Sequence, residues 1–187
     1  ADRRGGAGDC VVFKAAAAKA AMGADLDEVV AAAKKANANT RSMGVALSAA
    51  THPATGKPMF ELPEGDMEIG MGIHGEPGVR RGKLQNADKV VDEIMSFILP
   101  DLPFEAGDEV AVLVNSLGAT PLMDLHICFR RVAQILDEKK IKIYSSLVGP
   151  FATTMDMCGM SITLMKLDDE LKELLDYPCN APYYVKK

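Results

Sequence analysis

Val110-Ala111-Val112-Leu113-Val114 is an unbroken apolar run between a Gly107-Asp108 turn and an Asn115-Ser116-Leu117-Gly118 loop. A short run rich in β-branched residues reads as a strand, and one that is apolar at every position reads as buried on both faces. Helical patterns flank it. Upstream, Val90, Val91, Ile94, Phe97 and Ile98 recur at helical spacing within Asp88 to Leu99, and Pro100 ends that segment. Downstream, Leu122, Leu125, Phe129, Val132 and Leu136 form one core-facing stripe, with His126 at its edge as a part-buried structural histidine. Ile141 to Val148 is the next strand, closed by Gly149-Pro150. Helical crossovers of this kind favour parallel neighbours.

The pattern continues on both sides. Cys10 to Met22 is an alanine-rich helix stopped by Gly23, and Asp25 caps a second helix with Glu28 as its capping-box partner. Polar Asn37-Ala38-Asn39-Thr40 is a joint and a domain boundary. Ser42 to Ala49 reads as a strand, Pro53 to Pro58 as a turn, Met59 to Leu62 as a short return, and Asp66 to Ile73 as a strand. Val79-Arg80-Arg81-Gly82-Lys83 is a basic loop, by default solvated, with contact to a phosphate-bearing partner as the sharper reading. Phe151 to Met160 is irregular and methionine-rich, Ser161 to Leu167 is a strand, and Asp168 caps a short helix before a tail from Pro178. The expected fold is α/β (α+β): a two-layer domain with a mixed sheet of about six strands and helices on one face. The other face then needs a cover, such as a second copy or a further domain.

The chain has 187 residues, 48% hydrophobic and 25% charged, with a formal net charge of −5. That balance makes the surface a poor partner for nucleic acid or anionic lipid. The apolar runs are too short to span a bilayer, and no signal peptide is evident, so the expected location is cytoplasmic. Cys10, Cys128, Cys158 and Cys179 are scattered and show no CxxC spacing, so free thiols are expected and no metal site. No GxxxxGK[ST] or GxSxG motif occurs.

The candidate site is Gly70-Met71-Gly72-Ile73-His74-Gly75-Glu76-Pro77-Gly78. The strand before it hands His74 to a glycine-rich turn, where functional side chains gather. Glycine beside the imidazole removes Cβ bulk, so a small ligand can approach. A single histidine is by default structural, and the glycine crowding is what raises the functional reading.

Gly72-Ile73-His74-Gly75-Glu76-Pro77-Gly78 resembles the signature of the substrate-binding (K) subunit or domain of dihydroxyacetone kinases. Arg3-Arg4-Gly5-Gly6-Ala7-Gly8 is similar to that family's RRGxAG segment. So are Met43 to Leu47 and Pro53 to Pro58 to its next strand and turn. Leu113 to Pro121 and Met155 to Leu164 resemble later segments, all in family order. The resemblance implies that His74 is the catalytic residue, bonding covalently to the carbonyl carbon of dihydroxyacetone as a hemiaminal. His74 and Gly75 are the implied substrate-binding residues. Imidazole in general has a pKa of about 6.5, which leaves a free nitrogen lone pair near neutrality. Glu76 has two readings, a partner for the ring N–H or simple turn solvation.

The resemblance further implies residues 1–40 as the end of an N-terminal subdomain and 41–187 as the second subdomain, which carries His74. The family's preceding subdomain holds other substrate contacts, so this chain alone is expected to be inactive. The phosphoryl donor is expected on a partner, the nucleotide-binding (L) subunit or a fused domain, with ADP or ATP and Mg. A homodimer is also implied, with no nucleic-acid or membrane partner. Two alternatives stay open: a dihydroxyacetone-binding transcriptional coactivator, and a fatty-acid-binding protein of related fold.

Overall fold

The computed structural model describes residues 6–187. Helices α1 (Gly8–Ala21) and α2 (Leu26–Ala38) come first. The Asp25 carboxylate accepts the Glu28 N–H at 2.9 Å and Glu28 accepts the Asp25 N–H at 3.0 Å, the capping box expected from the sequence. Strands β1 (Thr40–Ala46), β2 (Asp66–Ile69), β3 (Arg80–Lys83), β4 (Glu109–Ser116), β5 (Lys142–Gly149) and β6 (Gly159–Leu167) make one sheet in the order β3-β2-β1-β6-β4-β5. Only β4 and β5, joined through helix α4 (Leu122–Glu138), run parallel; β6 lies antiparallel to both β1 and β4. The mixed six-stranded sheet expected from the sequence is therefore present.

Side chains alternate across a strand, so the central strands serve two cores. Val110, Val112 and Val114 of β4 and Met160, Ile162 and Leu164 of β6 face α4 and helix α3 (Ala87–Asp101). Ala111, Met165 and Leu167 point the other way, where Val11, Ala15 and Ala18 of α1 and Leu171 and Leu174 of α5 (Asp169–Asp176) meet them. Helices thus lie on both faces, not on one. The alanines of α1 and α2 are small enough to let those helices close on each other and on the sheet, supplying on this face the cover expected of a second copy or a further domain.

Several local readings change. Arg80–Lys83 is a strand, not a loop, because its cations stand opposite the carboxylates of β2: Lys83 pairs with Asp66 at 2.6 Å and Arg81 with Glu68 at 2.7 Å. Met59 to Leu62 forms no strand, and only a Thr51–Pro58 bridge marks that turn. β2 stops at Ile69, four residues before the expected end. Pro100 lies inside the last turn of α3, which runs on to Asp101 rather than ending before the proline. Leu122 is 53% exposed and His126 is exposed, so neither belongs to the buried stripe of α4, which is Leu125, Cys128, Val132, Ile135 and Leu136. The tail folds as a hairpin, β7 (Cys179–Ala181) with β8 (Tyr184–Lys186), packed edge-to-face on Phe151 through Tyr183.

Candidate functional site

β2 and β1 carry the candidate turn. Gly70 N–H donates to Gly44 O at 2.7 Å, and Val79 N–H returns to Ile69 O at 2.8 Å, so the loop between leaves and rejoins the sheet at one point. Inside it, Gly75 N–H donates to Gly72 O and Gly72 N–H to Glu76 O, both at 3.1 Å. Gly75 sits at φ +83°, a conformation that a side chain would resist. The structure therefore places His74 in a tight turn and Gly75 directly beside it.

The His74 side chain is 80% exposed. Its Nδ1 lies 3.4 Å from Glu76 Oε1, and its backbone N–H donates to Glu76 Oε2 at 3.0 Å. Glu76 thus holds both ends of the histidine. Its carboxyl is kept below the usual carboxylate value, first by its own backbone N–H; burial opposes this, and the His74 backbone N–H and ring add smaller lowering effects.

The turn is anchored below. Ile73 packs on a small cluster of Ala46, Ala50, Met71, Leu117 and Met157. The Thr154 hydroxyl donates to Ile73 O. At the far end, buried Glu68 accepts the Gly78 N–H at 2.7 Å and two bonds from Arg81 at 2.9 and 2.7 Å. Those bonds offset the cost of burying its charge.

The later motifs prove to be scaffold beneath this turn. Fully buried Asn115 accepts from the N–H groups of Phe151 and Ala152 at 2.8 Å each and donates to Ala152 O at 2.8 Å. Thr120 Oγ1 donates to Gly159 O at 2.6 Å and accepts Gly159 N–H at 2.8 Å, stitching the Leu113–Pro121 segment to the Met155–Leu164 segment. Asp156 accepts from Thr51 N–H at 2.6 Å and Oγ1 at 2.7 Å, tying down the Pro53–Pro58 turn. Of the RRGxAG-like segment, Arg3, Arg4 and Gly5 lie outside the described residues, and Gly8 opens α1.

Thr154 and Asn115 were not singled out from the sequence. Asn115 carried a signal, being an amide at the end of an all-apolar strand. Thr154 carried none, because Phe151 to Met160 has no period.

Burial pushes the Cys128 and Cys10 thiols up to about 11, which disfavours thiolate. Among the described residues, no group of three His, Cys, Asp or Glu is placed to hold a metal ion. No helix among them is long and apolar enough to cross a membrane. Arg80 is bidentate on Glu93, so the basic strand offers paired rather than free cations at Arg80, Arg81 and Lys83. An apolar pocket of about 200 Å³ opens between β1, α3 and α4, lined by Val45, Leu47, Val90, Ile127, Cys128 and Met160, and no residue of the His74 turn lines it.

The model of the Dak1 domain matches residues 1–183. The dihydroxyacetone-binding subunit of PTS-dependent dihydroxyacetone kinase 2 from Listeria innocua serovar 6a is 62% identical over 98% of this chain and 55% of its own length. A dihydroxyacetone kinase operon co-activator superposes with a TM-score of 0.87 at 30% identity, over 93% of this chain and 54% of that one. The dihydroxyacetone kinase of C. freundii, solved in complex with AMP-PNP and Mg2+, gives a TM-score of 0.79 at 31% identity, over 96% of this chain and 33% of that one. The chain spans about half the length of the Listeria relative and less of the kinase.

Proposed function

The chain belongs to the Dak1 domain family, and on that premise we propose that it is the substrate-attaching part of a dihydroxyacetone kinase, with His74 as the attachment residue and Gly75 as the clearance beside it. The observation that carries this is a solvent-facing imidazole in a turn bonded at both ends, with a carboxylate at Nδ1. With the ring proton on the Nδ1 side, facing Glu76, the Nε2 lone pair is free. Nε2 adds to the ketone carbon, and the carbonyl π pair moves to oxygen, which takes a proton. The ring gives up its Nδ1 proton, so the hemiaminal is neutral. The step is reversible and selects carbonyl compounds over glycerol. A terminal hydroxyl held this way is oriented for attack on phosphorus, so the chain's contribution is positioning.

The phosphoryl group comes in this reading from a nucleotide-bearing partner subunit or domain with ADP or ATP and Mg. The C. freundii kinase solved with AMP-PNP and Mg2+, and the PTS-dependent kinase to which the Listeria relative belongs, support that division. Residues 1–40 are proposed to close a preceding subdomain and 41–187 to form the subdomain that bears His74. A homodimer and a cytoplasmic setting complete the proposal.

His74→Ala in the full-length protein is expected to abolish dihydroxyacetone binding and the adduct seen by intact mass. Undiminished binding in the variant, with no adduct in the wild type, would sink the assignment. The co-activator match favours one second reading, a dihydroxyacetone-responsive regulator. Phosphorylation of dihydroxyacetone by the full-length protein with its nucleotide partner separates the two.

A further inference from the structure

We propose that Thr154 is the positioning residue of His74, an inference that rests on His74 as the attachment residue. One peptide unit, that between Ile73 and His74, is held on both sides. Its carbonyl accepts the Thr154 hydroxyl, and its N–H donates to Glu76 Oε2 at 3.0 Å. A peptide unit is planar, so gripping both its oxygen and its hydrogen fixes its orientation. That orientation sets the direction in which the His74 Cα–Cβ bond leaves the turn. The imidazole itself is mostly exposed, so the peptide that carries it matters for its direction.

Thr154 is suited to the task because it is itself held on both sides. Its N–H donates to Leu117 O at 2.7 Å, and its carbonyl accepts Met157 N–H at 3.0 Å. Upstream, Asn115 binds Phe151 and Ala152; downstream, Asp156 binds Thr51. Between them Met155 adopts φ +46°, a left-handed conformation that a methionine takes only when its surroundings impose it. Its carbonyl lies where a side chain on Gly118 would be, 2.1 Å from an ideal Cβ there. The strap Thr154-Met155-Asp156 therefore rests on the glycine loop after β4 and presents one hydroxyl to the turn. Rigid sheet, strap, peptide plane and imidazole follow in series. Thr154 touches no substrate in this scheme and acts only through the Ile73–His74 peptide.

The test compares T154V, which keeps the shape and removes the hydroxyl, with T154S, which keeps the hydroxyl and removes the methyl, in the full-length protein. Two readouts are used. Hydrogen exchange of the His74 amide, measured without substrate, is expected to speed up about tenfold in T154V and to stay near wild type in T154S. Dihydroxyacetone affinity is expected to fall about tenfold in T154V only. Equal losses in both variants would assign the effect to packing and overturn the proposal. So would wild-type behaviour of T154V, or a T154V protein that does not fold, which would make Thr154 structural. The exchange comparison involves no dihydroxyacetone. It decides the role of Thr154 even if His74→Ala shows that attachment occurs elsewhere, so the two failures are told apart.

Discussion

At the residue scale the turn depends on Glu76. Its folded pKa lies below the ordinary carboxylate value of 4.5, held there first by its own N–H and then by the N–H and ring of His74. A depressed carboxylate stabilises the turn above the unfolded pKa, and that contribution is lost as pH falls through the folded value. The His74 amide is therefore expected to keep its protection from neutrality down to about pH 4.5 and to lose it below. Amide exchange across that range checks this. Glu76→Gln should flatten the acid limb while retaining protection at neutral pH, because the side-chain carbonyl still accepts the His74 N–H. His74 was legible in the sequence because glycine and proline punctuate the chain around it. Its grip was not, since Thr154 lies eighty-one residues beyond Ile73, whose carbonyl it binds, and reaches it only through the fold.

At the element scale the strap and the loop after β4 are a matched pair. Gly118 has φ +141°, and any Cβ there meets Met155 O at 2.1 Å. The atom in the way is backbone, so relief needs the strap to move. Gly118→Ala is expected to cost about 1–3 kcal/mol, read as a melting shift of about 2–4 °C for each kcal/mol in a chain of this size. It should also speed exchange at His74, because the strap that holds Thr154 is displaced. Unchanged exchange with a lowered melting point would separate strap from turn. The elements easiest to read were those with a strong period or a cap, such as α2, α4 and β4. β3 escaped because charge pairing with Asp66 and Glu68, not apolar alternation, holds it in the sheet. The β7–β8 hairpin escaped because its cover on Phe151 comes from the fold rather than from its own sequence.

At the scale of the whole molecule, local patterns marked β1, β2, β4, β5 and β6 as strands but not their places in the sheet. β6 enters between β1 and β4, separated by β4 from its sequence neighbour β5, and nothing within Gly159–Leu167 specifies that. Its alternation does record the consequence, for Ser161, Thr163, Met165 and Leu167 are buried as fully as Met160, Ile162 and Leu164. A strand buried on both faces needs two covers, and α1 with α5 supplies the second. This architecture separates stability from the site. Met165 lies in the core under α1 and α5, while Met157 lies in the cluster under the His74 turn. Both methionines are fully buried, so truncation of either to alanine is expected to cost about 2–5 kcal/mol and to lower the melting temperature accordingly. Only Met157→Ala should also speed His74 amide exchange and weaken dihydroxyacetone binding, because only it removes support beneath Ile73. Melting and exchange measured on both variants test the division. If Met165→Ala loosens the turn equally, the two cores act as one unit and the turn's order depends on the whole sheet rather than on the cluster beneath it.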